Sequence, residues 1–179
     1  MLDNDLVGEA FAATLPASGA ECVLVLGIGN VLMGDEGVGV HALRALETRT
    51  PLRGVRLLDG GTGGVNLLQE ILGADDIILV DATRDGRPAG TITFLQLDSV
   101  GALPRGLGAH DFGLKDLFAA AALLGRLPRL HLFTISVETV QPMSMSLSPA
   151  VAAALPELVH AVRAHAARQA AESLVGHES

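Results

Sequence analysis

The sequence predicts an α/β fold in which about five mostly parallel, twisted strands form the middle of three layers, with helices on both faces. Short uncharged apolar runs alternate with helix-like segments along most of the 179 residues, and such runs are typical of strands buried on both faces. Parallel strands need crossover connections, which place helices against the sheet. We expect a single domain over residues 21–172, between an N-terminal extension of residues 1–20 and a C-terminal tail of residues 173–179.

The first half of the chain contains three apolar runs that we interpret as strands. The first extends from Cys22 to Gly27 and stops at Gly-Ile-Gly-Asn, and residues 35–49 follow with the apolar spacing of a helix. A second strand from Val55 to Leu58 precedes a helix from Val65 to Leu72, and a third strand covers Ile77 to Val80. This alternation of strand and helix favours parallel neighbours.

The second half of the chain completes the predicted sheet. Thr91 to Leu97 alternates as a strand does, whereas residues 99–112 are rich in glycine, lack periodicity and are expected to form a surface loop. A helix is expected from Leu114 to Leu124, and a fifth strand from Leu130 to Val137. A long Ala-rich helix should then extend from Ser148 to about Ala171, with the serine as its cap and a proline at its first position.

Charge and composition exclude several classes of function. The chain carries 20 acidic and 12 basic side chains, a formal net charge of −8, and no basic cluster is visible that would attract a nucleic acid. No apolar run reaches the roughly 18 residues that a membrane span needs, and acidic side chains replace the basic start of a secretion signal. We therefore expect a cytoplasmic protein that binds neither nucleic acid nor membrane. The single cysteine, Cys22, excludes an intrachain disulfide and a thiolate zinc cluster.

Acidic side chains follow the predicted strands at the points where the strands end. Asp35 and Glu36 come after the first strand, Asp59 after the second and Asp81 after the third. The carboxyl ends of parallel strands meet at one end of the sheet, where functional groups collect, and His110 lies in a loop long enough to reach that end. Two carboxylates and an imidazole could bind a divalent transition metal with positions left open for water or substrate.

Several of these residues also have a simpler interpretation. Asp35 is favoured as a cap of the following helix over a metal ligand, and Asp59 precedes glycines as turn-forming aspartates do. The Gly-x-Gly turn at residues 27–29 suggests dinucleotide binding, but the third glycine of that pattern is absent and the acidic residues that follow would repel a pyrophosphate. His41 and His131 are interpreted as surface or packing residues.

Four segments, in this order, resemble the hydrogenase maturation protease family: GIGNVLMGDEGVGVHAL at 27–43, LLDGGTGGVNLL at 57–68, ILVDAT at 78–83 and GAHDFGL at 108–114. The resemblance covers roughly residues 22–160 and implies a phosphorylase/hydrolase-like sheet between helices. It also implies a nickel-recognition site formed by a Glu or Asp, an Asp and a His. At the matching positions these are Glu36, Asp81 and His110, which we expect to be both metal ligands and catalytic residues.

The resemblance further implies an endopeptidase that removes the C-terminal extension of a nickel-loaded [NiFe]-hydrogenase large-subunit precursor. The nickel would arrive with this partner, although another divalent metal could occupy the site in isolation. No Ser-His-Asp or Cys-His arrangement stands out as a nucleophile, so we expect water to attack a metal-polarised carbonyl. The enzyme is expected to work as a monomer. Further substrate contacts are expected from Asn30, Asp35, Asp59, Gly60, Gly61 and Thr62.

Two other functions fit the same residues. A non-enzymatic nickel-binding chaperone of hydrogenase assembly could hold the metal through Glu36, Asp81 and His110 without cleaving a peptide bond. A generic hydrolase on the same fold could cleave small esters or peptides that lack nickel. The mass of the precursor separates the protease from the chaperone, because only the protease shortens the precursor.

Overall fold

The computed structural model describes residues 23–61, 67–104 and 111–176. Within them, five strands form one sheet: β1 (Val23–Ile28), β2 (Val55–Gly61), β3 (Asp76–Thr83), β4 (Ile92–Leu97) and β5 (Arg129–Ser136). The described α-helices are α1 (Val38–Glu47), α2 (Leu67–Leu72), α3 (Asp111–Leu123) and α4 (Pro149–Gly176). Short 3-10 turns occupy Gly34–Gly37 and Val100–Ala102.

The sheet has the strand order β2-β1-β3-β5-β4. Strands β2, β1, β3 and β5 run parallel, and β4 pairs antiparallel with β5 at one edge. Gly27 lies opposite both Asp59 of β2 and Val80 of β3, so the three strands finish at nearly the same level. We call this the carboxyl end of the sheet and the opposite one its amino end.

Helices cover both faces of the sheet, which confirms the predicted three layers. Successive side chains of a strand point to opposite faces. In β1, Leu24 and Leu26 pack with residues of α2 and α3, whereas Val23 and Val25 pack with residues of α1 and α4. All six residues of β1 are buried, as a central strand between two helical layers requires.

Several elements extend beyond their predicted bounds. Strand β3 includes Asp81 because its pairing with β5 continues to Thr83 opposite Ser136. Strand β2 likewise continues to Gly61 beside β1. Helix α4 reaches Gly176, past the expected end and into the segment predicted as a tail. Buried side chains along its last turns pack on the protein, so this part of the helix is held by tertiary contacts.

Candidate functional site

The chain leaves β1 in a tight turn that folds back onto the start of α1. Gly29 has a φ of +133°, and a Cβ there would lie 1.9 Å from the carbonyl oxygen of Glu36. A Cβ on Gly39, in the first turns of α1, would lie 2.2 Å from the carbonyl oxygens of Ile28 and Val80. Only glycine tolerates such close approach. The turn that carries Glu36 is therefore pressed against the carboxyl ends of β1 and β3.

Glu36 and Asp81 lie at this same end of the sheet, and both are buried. Glu36 is in the 3-10 turn between β1 and α1, and Asp81 is near the end of β3. The Oδ1 atom of Asp81 accepts a hydrogen bond of 2.7 Å from the N–H of Ala82. Because β1 and β3 are neighbours in the sheet, the structure brings these two predicted site residues to adjacent elements.

His110 and Thr62 lie outside the described residues, and their roles stay predictions. Over residues 23–61, 67–104 and 111–176, no three His, Cys, Asp or Glu side chains form a group that could hold a metal ion. The described part of the site therefore offers the pair Glu36 and Asp81. A metal bound by two carboxylates keeps coordination positions for other donors.

Asp35 has a structural role that was not predicted. It is 1% exposed, and its carboxylate accepts hydrogen bonds from Nε2 of Gln141 at 3.2 Å and from the N–H of Ser148 at 2.6 Å. Its own N–H donates to Oε1 of Gln141 at 2.9 Å. It makes no capping hydrogen bond to the 3-10 turn or to α1, so the predicted cap is wrong. Its hydrogen bonds tie Gln141 and Ser148 to the turn that carries Glu36, and its predicted contact with substrate stays a prediction.

Gln141 is the partner that sequence reasoning missed. It lies 106 positions from Asp35, and no local pattern connects the two. Ser148 was expected to cap the long helix through its side chain, but among the described residues its hydroxyl has no hydrogen-bond partner. Its backbone N–H bonds to Asp35 instead. The sequence shows an acidic residue after a glycine-containing turn, which does not identify Gln141 or Ser148 as its partners.

The remaining predicted substrate contacts border the Glu36 turn. The side chain of Asn30 accepts a hydrogen bond of 3.0 Å from the backbone N–H two residues later, and Asp59 accepts one of 2.8 Å from the N–H of Gly61. The carbonyl of Gly61 in turn accepts a hydrogen bond from Gly29 at 2.8 Å. Asp59 therefore forms a turn at the end of β2, as its simpler interpretation proposed. Asp59 is exposed, Asn30, Gly60 and Gly61 are partly exposed, and their contacts with substrate stay predictions.

A second group of polar side chains, most of them buried, lies at the amino end of the sheet. Asp76 begins β3, and its carboxylate bonds to Nη2 of Arg129 at 2.6 Å and to Nε2 of His131 at 3.0 Å. The ring of His131 packs against that of His165 in α4, with ring centroids 4.6 Å apart, and Phe94 contacts both rings. His131 is a packing residue, as predicted, but its hydrogen bond with Asp76 was not expected. We call Asp76, Arg129, His131 and His165 the amino-end cluster.

The environment of this cluster shifts two of its pKa values. Burial alone would raise the pKa of Asp76, but hydrogen bonds and charge from His131 and Arg129 outweigh it and hold that pKa below its ordinary value. The pKa of His165 is lowered to about 4, first by burial and then by the neighbouring His131 and Arg168. His165 is therefore neutral near pH 7 and Asp76 is ionised.

Similarity to known proteins decides the family. The family model for hydrogenase maturation proteases matches residues 40–165. The chain belongs to the hydrogenase maturation protease family. It is similar to the hydrogenase 2 maturation protease of Escherichia coli strain K12, with 37% identity over 149 residues that cover 79% of this chain and 90% of that protein. A hydrogenase expression/formation protein of Thiocapsa roseopersicina is 42% identical over 125 residues, which cover 66% of this chain and 55% of that protein.

Solved structures of the maturation proteases share the fold. The hydrogenase maturating endopeptidase HybD from E. coli matches with a TM-score of 0.74 and 33% identity, over 80% of this chain and 91% of that chain. This similarity confirms the five-stranded α/β architecture, and these relatives place the chain among the hydrogenase maturation endopeptidases. None of the helices in the described ranges is long and apolar enough to span a membrane.

Proposed function

We propose that this maturation protease removes the C-terminal extension of a nickel-loaded [NiFe]-hydrogenase large-subunit precursor and uses the substrate's nickel as its recognition element. The observation that carries the proposal is the position of Glu36 and Asp81, two buried carboxylates on neighbouring elements at one end of the sheet. A low local dielectric strengthens the attraction between such carboxylates and a divalent cation. Nickel that reaches this end inside a partner protein would therefore be held there.

In this proposal, Glu36, Asp81 and His110 complete the coordination shell of the substrate's nickel. Imidazole and carboxylate are both suitable ligands for such a metal. The bound metal fixes the scissile peptide next to the carboxylates and polarises its carbonyl oxygen. Water attacks the carbonyl carbon and loses a proton to a carboxylate, which returns it to the leaving nitrogen as the C–N bond breaks. The products are a new C-terminal carboxylate on the large subunit and a free peptide.

The two segments that border the Glu36 turn would guide the extended tail. Asn30 lies in the turn after β1, and Asp59 and Gly60 lie at the end of β2. A backbone hydrogen bond from Gly29 to Gly61 joins these two segments. A substrate tail placed along them would lie next to the carboxylates. One precursor at one sheet end needs only one copy of the enzyme, so the proposed working form is a monomer, and the proposed location is the cytoplasm.

Removing single ligands tests this proposal. Glu36→Gln and His110→Ala should each cleave nickel-loaded precursor at least about 10²-fold more slowly than wild type, because a ligand or proton acceptor is lost. Cleavage is followed by the mass of the precursor, and folding of each variant by circular dichroism. Glu138→Gln is the matched control, since Glu138 is an exposed carboxylate after β5 at the same end of the sheet, and it should cleave normally.

The outcomes of this experiment separate the alternatives. Undiminished cleavage by Glu36→Gln and His110→Ala would show that Glu36 and His110 are neither nickel ligands nor catalytic residues. A wild-type enzyme that binds the precursor stably and leaves its mass unchanged would be a chaperone. Equal cleavage of precursor with and without nickel would contradict the role of the metal as recognition element, and cleavage of small esters would favour a generic hydrolase.

A further inference from the structure

We propose that the exposed side chains of Leu32, Met143 and Met145 form a docking surface for the large-subunit precursor beside the nickel site. We call these three residues the apolar rim. Leu32 is 53% exposed, Met143 93% and Met145 60%. Large apolar side chains that are exposed together often mark a contact surface for another protein. This inference rests on the proposed function, because it assigns the surface that the same substrate would touch.

The rim lies on two segments that are joined next to Glu36. Met33 and Ser144 form a parallel β-bridge, and the N–H of Gly34 donates to the carbonyl of Ser144 at 2.7 Å. One rim residue precedes this bridge on the first segment, and the other two flank it on the second. Because Glu36 follows two positions after Gly34, a partner seated on the rim would lie beside the turn that carries the proposed nickel ligand.

Buried contacts hold the rim in place before any partner binds. Met143 and Met145 lie between Gln141 and Ser148 in the chain. Both Gln141 and Ser148 donate hydrogen bonds to the carboxylate of the buried Asp35. A Cβ on Gly34 would lie 2.1 Å from Oε1 of Gln141, so the two segments are in close contact. Met143 has a φ of +63°, a left-handed conformation that is unfavourable for a residue with a side chain. Strain of this kind at an exposed residue is typical of functional surfaces.

The chemistry of the rim indicates the kind of partner. Methionine side chains are flexible and polarisable, which suits contact with an irregular apolar surface. The net charge of −8 disfavours a nucleic acid or an anionic membrane as the occupant. The precursor has to approach this end of the sheet if its nickel is to reach Glu36 and Asp81. The rim therefore fits an apolar segment of the precursor near its scissile bond.

The double variant Met143→Gln with Met145→Gln tests the rim. Glutamine keeps the length and unbranched shape of methionine and adopts the backbone conformation of position 143 at similar cost. The KM for nickel-loaded precursor should rise at least about tenfold, because the variant loses two apolar contacts that become buried when the precursor binds. The kcat should stay near the wild-type value, because the lost contacts are not specific to the transition state.

Leu123→Gln is the matched control for the loss of an exposed apolar side chain. Leu123 is 89% exposed at the end of α3, near Arg126, which pairs with Asp75 beside the amino end of β3. The Leu123→Gln variant should have the wild-type KM and kcat. A wild-type KM in the double variant, or an equal rise in Leu123→Gln, would overturn the docking proposal.

Two further outcomes are kept distinct. If wild-type enzyme does not cleave the precursor, the proposed function fails, and the rim is judged by binding of nickel-loaded precursor to immobilised enzyme. Weaker binding by the double variant alone then supports the rim, whereas equal binding overturns it. If wild type sediments as a dimer and the double variant as a monomer with unchanged KM, a second copy occupies the rim and the proposal is wrong.

Discussion

Strand β3 has a buried aspartate near each end, and the two ends of the sheet surround these side chains differently. At the amino end, Asp76 bonds to the guanidinium of Arg129 and to the ring of His131. A cation of the same chain therefore balances its charge. At the carboxyl end, Asp81 accepts a hydrogen bond of 2.7 Å from the backbone N–H of Ala82.

Asp35 shows the same use of neutral donors at the carboxyl end. Asp35 directly precedes Glu36 in the chain. Its carboxylate accepts hydrogen bonds from the side-chain amide of Gln141 and the N–H of Ser148. Burial by itself therefore does not distinguish a structural carboxylate from one that could receive a metal. The two ends differ in their recorded contacts: Arg129 pairs with Asp76 at the amino end, whereas Asp81 and Asp35 accept hydrogen bonds from neutral donors at the carboxyl end.

The largest expected effect comes from exchanging each β3 aspartate for asparagine. Asp81→Asn should lower the cleavage rate more than about 10²-fold, and asparagine keeps an oxygen that can accept the hydrogen bond from the N–H of Ala82. Asp76→Asn should lower the free energy of unfolding by about 3 kcal/mol, toward the lower limit for a broken buried ion pair, since the Arg129 side chain is 55% exposed. Urea denaturation and precursor cleavage measure the two effects.

Each variant is the control for the other. Cleavage by Asp76→Asn, corrected for its folded fraction, should equal that of wild type. If Asp76→Asn loses activity without losing stability, or Asp81→Asn loses stability and retains activity, the assignment of roles to the two ends of the sheet is wrong.

An intermediate effect is expected from pH, and it belongs to the amino end. The pKa of His165 is about 4 in the folded chain against an ordinary value of 6.5, so the unfolded chain binds the proton more readily. Stability should therefore fall as pH decreases from 6.5 to about 4, by about 2–3 kcal/mol from this residue. The low pKa of Asp76 adds a further loss only at still lower pH, where its carboxylate becomes protonated.

The variant His165→Phe isolates this contribution. It keeps a ring against Phe94 and Phe133 and cannot bind a proton, so urea midpoints should depend less on pH over the same interval than in wild type. His131, Arg168, Asp76 and Glu172 all act on His165 and remain in the variant. An unchanged pH dependence would show that other groups cause the acid sensitivity.

The fold was predictable to a large extent because apolar runs mark buried strands directly. The central strand, the alternation with helices and the sheet between two helical layers all follow from such runs. Strand ends were less predictable. Strand β3 begins at Asp76 and contains Asp81 and Thr83 near its other end, and a hydrophobic pattern does not assign such polar residues to a strand. Pairing with β5 keeps Asp81 to Thr83 extended, and this depends on a neighbour that the sequence does not reveal.

The candidate site also has features that the sequence predicts and contacts that it does not. The position of Glu36 and Asp81 at the carboxyl end of the sheet was predictable because each follows an apolar run, whereas their role as metal ligands stays a prediction. The bonds of Asp35 to Gln141 and of Asp76 to His131 join residues 106 and 55 positions apart. Such pairs depend on how segments pack in three dimensions, and no local spacing encodes them.

The smallest expected effects concern two aspartates, the exposed Asp59 near the carboxyl end of the sheet and the partly exposed Asp75 near its amino end. Asp59 at the carboxyl end bonds to the N–H of Gly61 at 2.8 Å, and Asp75 at the amino end forms an ion pair of 3.5 Å with Arg126. Asp59→Ala and Asp75→Ala should each lower the free energy of unfolding by about 1 kcal/mol or less, because exposed contacts of this kind contribute little. The two variants should differ in kinetics. Asp59→Ala should raise the KM for nickel-loaded precursor by about threefold, as expected for a contact at the edge of an interface that contributes a fraction of a kcal/mol. Asp75→Ala should leave this KM unchanged. Equal KM values in the two variants would remove Asp59 from the predicted substrate contacts and leave it as a turn residue alone.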